Sequence, residues 1–308
     1  MKQIEMENLS ACLICKSTNS IEFRTCTDYT TSKQKFKIVK CQVCGFAYTN
    51  PRPKAENAGQ YYESNDYISH NDAAKGIFST IYKLVRSVTL RSKVNLVKKT
   101  TGKQIGTIVD YGCGTGEFLK KMIDSGWNGI GVEPSAIARK QISEKLNTTV
   151  LNPEELEKIE DNTLDAITMF HVLEHVYNPH YVLRCFSNKL KSDGMLLIAV
   201  PNREAKEEKI YKEYWAAYDV PRHIWHFRYS DIEQLCIQNN FIIVQYRPMI
   251  FDPFYISMLS EKYKGSKSYF IKGAWTGLLS MISSLKNKKY SSSLLYILRK
   301  HNTQNKAV

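Results

Sequence analysis

The stretch Ile108 to Leu119, IVDYGCGTGEFL, decides the fold. A strand-forming run closes at Asp110, glycines follow at 112, 114 and 116, and a helix-forming run begins. Glycines at such a bend let the backbone approach a ligand without interference from a Cβ. A dinucleotide fingerprint, G-x-G-x-x-G, would need a glycine three residues after Gly114, where a pyrophosphate lies on the helix N-terminus, but Glu117 stands there. A carboxylate repels a pyrophosphate, and no Gly-Lys-Ser/Thr follows to make a P-loop. The loop is therefore expected to hold a nucleoside without phosphates.

Working outward, short apolar runs of strand length alternate with helix-like segments. TIVDYG, GIGVEP, TTVL, LDAITMF, MLLIAVP, FIIVQY and SLLYILR are separated by EFLKKMIDSG, PSAIARKQISEKL, NPHYVLRCFSNKL and SDIEQLCIQNN. Such alternation implies an α/β fold, a doubly wound sheet covered on both faces. Ser230 with Glu233 fits a capping box, and Gly126 marks a helix end. Ile77, Phe78, Ile81, Leu84, Val85 and Val88 recur at helical spacing, which predicts an amphipathic helix ahead of the glycine loop. Residues 51–76, opening with Pro51 and Pro53 and rich in tyrosine, read as a connector or lid.

Glu133 ends the second strand of the series, seventeen residues after Gly116. A carboxylate at a strand tip can accept hydrogen bonds from both hydroxyls of a ribose. The combination D-x-G-x-G-x-G, G-x-G-V-E-P-S and LDAITMFHVLEHV resembles a class I S-adenosylmethionine-dependent methyltransferase, of the type 11/23-like group that includes ubiquinone-pathway and sugar methyltransferases. The resemblance spans residues 77–300 and implies a Rossmann-like seven-stranded sheet, mostly parallel, with the last strand antiparallel. It also implies that Asp110, Gly112, Gly114 and Gly116 line the methionine and adenosine portions of the donor and that Glu133 holds its ribose. Asn152 would lie near the adenine, although many relatives carry an acidic residue there and this chain offers Asn152 followed by Glu154 and Glu155. Phe170 and His171 would lie near the cofactor at the fourth strand tip.

Methyl transfer from a sulfonium needs a positioned acceptor and, for a hydroxyl, a base. In FHVLEHV, His171, Glu174 and His175 fall at spacings of three and four. The ubiquinone-pathway enzymes resemble E-x-x-E-H here, a site for a divalent metal that polarises the acceptor oxygen. His171 in place of the first Glu favours a softer ion than magnesium, or none, and Glu174 and His175 also fit a hydrogen-bonded helix start. The second constellation, YDVPRHIWHF, carries Asp219, Arg222, His223, Trp225 and His226. Asp219 is expected to orient His223, His223 to take the acceptor proton in preference to His171, and Arg222 to steer an anionic group; a purely structural cluster is the other reading.

Cys12 and Cys15, with Cys41 and Cys44, form two C-x-x-C pairs 25 residues apart, with the β-prone runs IEFRTC and FKIVKC between them. Four thiolates on a ribbon suit a closed tetrahedral zinc site. Cys26, Cys113, Cys185 and Cys236 are single, so a secreted disulfide scaffold is not indicated. The 308 residues thus divide into a zinc ribbon at 1–50, the connector at 51–76, the methyltransferase domain at 77–300 and a tail at 301–308, with an insertion at about 252–289.

The net charge is +13, of which residues 246–308 supply +9, with eleven Lys/Arg against two Asp/Glu. Within the insertion, FYISMLS and AWTGLLSMISSL are bracketed by Lys262, Lys264, Lys267, Lys272, Lys286, Lys288 and Lys289. This is either a solvated lysine face over a packing stripe or a lid touching a membrane and presenting a lipid-linked acceptor. The first residues lack an export signal's layout and no apolar run spans a bilayer, so a cytoplasmic protein, peripheral to the membrane at most, is expected. A nucleic-acid-binding or nucleic-acid-methylating protein is the rival class. Against it, the basic residues lie far from the ribbon, and the fourth strand ends in FHVL rather than the Asn/Asp-Pro-Pro-aromatic motif of base-amino methyltransferases. A third reading is a catalytically silent cofactor-binding partner. The acceptor is expected to be a small molecule: a sugar, a glycolipid precursor or a quinone-like phenol.

Overall fold

A computed structural model of the chain describes residues 4–62 and 77–301, with backbone only for 77–84. Five strands come first: β1 (Met6–Glu7), β2 (Ser20–Thr27), β3 (Lys35–Cys41), β4 (Ala47–Thr49) and β5 (Arg52–Pro53). Then follow α1 (Ile77–Thr101), β6 (Thr107–Tyr111), α2 (Glu117–Asp124), β7 (Asn128–Val132), α3 (Ala136–Leu146), β8 (Val150–Leu151) and β9 (Leu164–Phe170). Next come α4 (Pro179–Lys189), β10 (Leu190–Pro201), α5 (Lys206–Tyr211), β11 (Trp225–His226), α6 (Tyr229–Ile237) and β12 (Phe241–Pro248). The chain closes with α7 (Asp252–Tyr263), α8 (Tyr269–Lys286) and β13 (Ser293–Lys300).

Seven strands form one sheet in the order β12-β13-β10-β9-β6-β7-β8. β6, β7, β8, β9 and β10 pair in parallel, and β13 runs antiparallel to both neighbours, as the sequence leads one to expect. Side chains alternate across this sheet because the strand period is two. Ile108, Ala166 and Leu197 pack with Val94, Val97, Phe118 and Met122 of α1 and α2. Val109, Ile167 and Ile198 face the other way, onto Leu183 and Phe186 of α4 and Leu235 of α6. Gly126 (φ +91) stops α2, but α6 begins elsewhere than Ser230 suggests. Its start is fixed by Asp231, which accepts from the Arg228 backbone N–H at 2.8 Å and from its guanidinium, itself tied to the Cys44 carbonyl. A tertiary anchor overrides the local capping signal.

The cysteine segment is a ribbon of β2, β3 and β4, and its fourth strand is β11, from far along the chain. Phe46 stacks on Tyr48 and Trp225, and Cys12, Cys41, Phe46 and Tyr48 belong to the same core as the large sheet. Of the 51–76 connector, residues 51–62 are described, with β5 and a 3-10 turn at Ala55–Tyr61, and residues 63–76 lie outside the described residues, as does the tail beyond His301.

Candidate functional site

Four neighbouring strand tips bring together most of the residues expected at a cofactor. Gly112, Gly114 and Gly116 all have positive φ (76°, 56° and 73°). A Cβ on Gly112 would lie 2.4 Å from Val172 Cγ2, and one on Gly116 would lie 2.8 Å from Ile142 Cγ2, whereas one on Gly114 would meet nothing within 4 Å. The loop is closed by the Gly112 N–H, which donates to the Val132 carbonyl, and the Gly116 N–H, which donates to the Cys113 carbonyl. Gly114 is thus the exposed crest of a tightly packed bend.

The Glu133 carboxylate is held over that crest. Its Oε2 accepts from the Gly114 N–H and its Oε1 from the Ser135 N–H, both at 3.0 Å. Burial raises its pKa, against the pull of those two bonds. A carboxylate oxygen has more than one acceptor direction, so both remain able to receive hydroxyls. Asn152, at the tip of β8, begins the 3-10 turn Pro153–Lys158, and its amide donates to Glu154. Glu117 remains at the start of α2 but pairs with Arg86 at 2.7 Å, which softens the repulsion expected from it.

Asp110 is buried beneath the loop, accepting from the Thr168 hydroxyl at 2.8 Å. Burial pushes its pKa up to about 6, opposed by Thr168 and by the charge of Lys93. The Lys93 ammonium of α1 lies 4.1 Å from the Phe170 ring centroid, and Phe170 meets Phe118 edge-on. Lys93 escapes a reading of the sequence, because nothing on an amphipathic helix marks which lysine turns inward.

His171 does not stand as a free base. It sits at positive φ (58°), with Nδ1 3.5 Å from Glu174 Oε1 and Nε2 3.3 Å from Asp252 Oδ2 of α7. Burial opposes its charge, yet the carboxylates, Asp252 foremost, prevail and lift its pKa to about 9. Held between two carboxylates, the ring is favoured in its charged form, which is the wrong form for a base. Asp252, 81 positions along the chain, has no signal in the sequence.

Beyond Val172 the chain makes a 3-10 turn, Leu173–His175, that meets the segment 219–226. His223 donates Nδ1–H to the Ala217 carbonyl at 2.8 Å, and this bond, not Asp219, orients the ring. Asp219 is 3.9 Å from Nε2, too far for a hydrogen bond, and both its oxygens accept from Arg222. Arg222 is likewise not available to steer a substrate. It is buried, and its fork reaches Asp219, Asp28, Thr31 and the Tyr61 carbonyl, using every donor it has. It is a strut between the ribbon and the pocket. His226 is buried against Thr49, and the Trp225 indole donates to the Val176 carbonyl.

His175 Nδ1 lies 2.9 Å from the Arg222 carbonyl and from the Tyr62 hydroxyl, and its ring meets His223 edge-on at 4.7 Å. Burial and then the charge of His223 push its pKa down to about 4. Glu174 is 1% exposed; its Oε1 faces His171 Nδ1 at 3.5 Å, and neither oxygen has a partner in hydrogen-bond geometry. Ligand atoms of Glu174, His175 and His223 lie within 4.8 Å of one another. The expected trio of His171, Glu174 and His175 is thus not the one that converges: His171 turns to Asp252, and His223 joins from the other segment.

Cys12, Cys15, Cys41 and Cys44 bring their sulfurs within 4.8 Å, with Cys12–Cys44 and Cys15–Cys41 each at 3.5 Å. A tetrahedron with ~2.3 Å metal–sulfur bonds has edges of about 3.8 Å, so the cluster fits such an ion. The two knuckles are alike: Lys16 and Gly45, each after the second cysteine, have positive φ and donate back to the Cys12 and Cys41 carbonyls.

A family profile described as a methyltransferase domain matches residues 82–246, more than half of the chain. The chain belongs to the methyltransferase-domain family. This methyltransferase-domain protein is 34% identical over 119 residues to the ubiquinone biosynthesis O-methyltransferase of Glaesserella parasuis serovar 5, a match covering 35% of the chain and 50% of that protein. It is 31% identical over 122 residues to the protein of that name from Photobacterium profundum, covering 37% of the chain and 52% of that protein. The chain spans about half the length of the curated relatives it matches. Among solved structures, the magnesium protoporphyrin IX methyltransferase of Synechocystis PCC 6803, with bound SAH, is similar at a TM-score of 0.51 and 12% identity, covering 78% of this chain and 96% of that one. That likeness concerns the fold.

Proposed function

We propose that the protein is an S-adenosylmethionine-dependent methyltransferase acting on an oxygen of a small-molecule acceptor: a sugar, a glycolipid precursor or a quinone-like phenol. The observation that carries this reading is the Glu133 carboxylate fixed over the open crest at Gly114. It offers two anchored acceptors to a ribose and no donor to a phosphate. S-adenosylmethionine, when bound, supplies a methyl group already activated on sulfur. The chain's own residues do the rest. Gly112 and Gly116 form the floor of the seat, Asn152 borders the adenine side, and Phe170 and His171 border the methyl end. Asp110 favours the donor's positive charge, and the Lys93 ammonium is placed to receive its carboxylate.

His223 accepts the acceptor's proton at Nε2, its ring held by the Ala217 carbonyl. Arg222 and Asp219 are positioning residues for that segment. The names of the curated relatives, which specify O-methyl transfer in ubiquinone biosynthesis, support an oxygen acceptor. We assign structural zinc to Cys12, Cys15, Cys41 and Cys44 on the fit of the thiol tetrahedron. A second reading of the pocket attaches to the two unbonded oxygens of Glu174: with His175 and His223 they form a candidate seat for a divalent cation, in which His223 would be a ligand rather than a base. Metal content of the Glu174→Gln variant against wild type decides between them.

Calorimetry with S-adenosylhomocysteine tests the central reading. The wild type is expected to bind, and Glu133→Gln to bind about 10–100-fold more weakly, the loss of charge-assisted hydrogen bonds. No heat with S-adenosylhomocysteine, alongside tight binding of NADH or ATP, would overturn it. Competition by oligonucleotides would favour the nucleic-acid reading, and cofactor binding without turnover on any acceptor the silent one.

A further inference from the structure

Helix α8 is built inside out. The residues it buries are Gly273, Gly277, Ser280 and Ser284, and those it exposes include Ile271 (73%), Trp275 (62%), Ile282 (43%) and Leu285 (71%). At about 100° per residue the four exposed side chains fall within an arc of ~80°, opposite the small ones, along roughly 21 Å of helix. The inward face is small because α7 presses against it. A Cβ on Gly273 would lie 2.4 Å from Met258 Cα, and one on Gly277 would lie 2.7 Å from Phe254 Cα. Small residues at the helix–helix contact and large apolar ones outside are the pattern of a hairpin whose outer medium is apolar.

The charges frame that face with one sign. Lys262 lies in the last turn of α7, Lys264 and Lys267 at the turn between the helices, Lys272 and Lys286 on α8, and Lys288 and Lys289 just beyond it, all exposed, with Lys264 and Lys289 leaning over the Tyr211 and Tyr229 rings. The two carboxylates of this region are turned inward: Asp252 meets His171, and Glu261 is buried. Two copies of the face brought together would therefore oppose lysines to lysines, with no carboxylate to receive them. Among the described residues no helix is long and apolar enough to cross a membrane.

We propose that the outward face of α8 docks, lying flat, on an anionic membrane surface, with Ile271, Trp275, Ile282 and Leu285 among the acyl chains and the lysines at the headgroups. The hairpin is rooted in the pocket wall: Asp252 touches His171, the Ala216 N–H donates to the Ser260 hydroxyl at 2.9 Å, and Tyr263 stacks on Tyr29 at 4.3 Å. Docking would set the pocket beside the headgroups. Resting on the methyltransferase reading, this makes the acceptor one carried on a lipid.

The chain holds its own reporter. Of its four tryptophans, Trp127, Trp215 and Trp225 are buried, and Trp275 is exposed. Flotation with phosphatidylcholine vesicles containing about 30% phosphatidylglycerol should carry the protein up, with little on phosphatidylcholine alone and less binding at about 0.5 M salt. Tryptophan emission should shift to the blue on the anionic vesicles and be quenched by brominated acyl chains. The triple variant Ile271→Ser/Trp275→Ser/Leu285→Ser should partition about tenfold more weakly or worse. Absence of wild-type flotation, equal flotation of the triple variant, or a self-associated dimer that the triple variant abolishes without any vesicle binding would overturn the proposal. Titration of both proteins with S-adenosylhomocysteine keeps the two readings apart. Lost flotation with intact cofactor binding in the variant supports the docking face, whereas failure of the wild type to bind cofactor removes the methyltransferase reading and leaves the vesicle result standing.

Discussion

Adding one methyl group at Gly112 and one at Gly114 should have different consequences, because the two glycines are needed for different reasons. Both have positive φ, so alanine at either costs about 1–2 kcal/mol of backbone strain. At Gly112 the new Cβ would also lie 2.4 Å from Val172 Cγ2. Relieving that overlap in a packed interior adds roughly 1–3 kcal/mol. Gly112→Ala should therefore lose about 2–5 kcal/mol, a fall in Tm of roughly 3–8 °C for a chain of this size. Because Val172 leads directly into Glu174 and His175, the histidine pocket should shift as well. At Gly114 the Cβ meets nothing, so the stability loss should stop at the backbone strain, a few degrees at most. The methyl group would, however, project over the seat beside Glu133, and affinity for S-adenosylhomocysteine should fall at least about tenfold, or ~1.4 kcal/mol. Thermal unfolding and calorimetry on the two variants read these effects separately. Wild-type affinity in Gly114→Ala would show that the loop does not seat the cofactor, and a wild-type Tm in Gly112→Ala would refute the packing argument.

His223→Ala should lower turnover by about 10²–10⁴-fold with cofactor affinity unchanged, whereas an equal turnover would remove His223 as the base. Asp110 has a folded pKa of about 6 against an ordinary 3.8, so the stability it contributes is fully present below pH 3.8 and is lost as pH rises through 6. A bound cation favours the ionised form, so affinity for S-adenosylmethionine should increase as pH rises through 6, and Asp110→Asn should flatten that profile in calorimetry. Arg222→Lys, which cannot reproduce a five-donor fork, should cost about 3–5 kcal/mol in urea unfolding, and an unchanged midpoint would show the strut to be dispensable. Elemental analysis should find one zinc per chain, lost in Cys41→Ser together with stability; full stability without metal would remove the ribbon's ion.

What the sequence discloses here depends on distance along the chain. The sheet is legible because apolar runs of period two and glycine bends are local, and the motifs that single out Asp110, Gly114 and Glu133 are confined to single strand-to-helix turns, whose tips lie side by side. The two C-x-x-C knuckles are legible for the same reason. The pocket is read less well. Asp219, Arg222 and His223 lie within five residues and invite a relay, yet Arg222 is claimed by Asp28, 194 positions away, and His223 by a backbone carbonyl. No local pattern announces such partners. Lys93 and Asp252 are missed because they reach the strand tips from helices whose inward face only packing reveals. The start of α6 is misplaced because the ribbon's Cys44 carbonyl, not a serine, fixes Arg228.

The ribbon is finished late in synthesis. Its strand β4 is flanked by β3 on one side and on the other by Trp225–His226. The neighbour on that side emerges from the ribosome roughly 175 residues later, about 10–35 s at ordinary translation speeds. Throughout that interval the nascent N-terminus presents a bare sheet edge and an uncovered Phe46–Tyr48 stack, the surface on which chaperones act and aggregation begins. A fragment ending near residue 50 would stay in that state permanently.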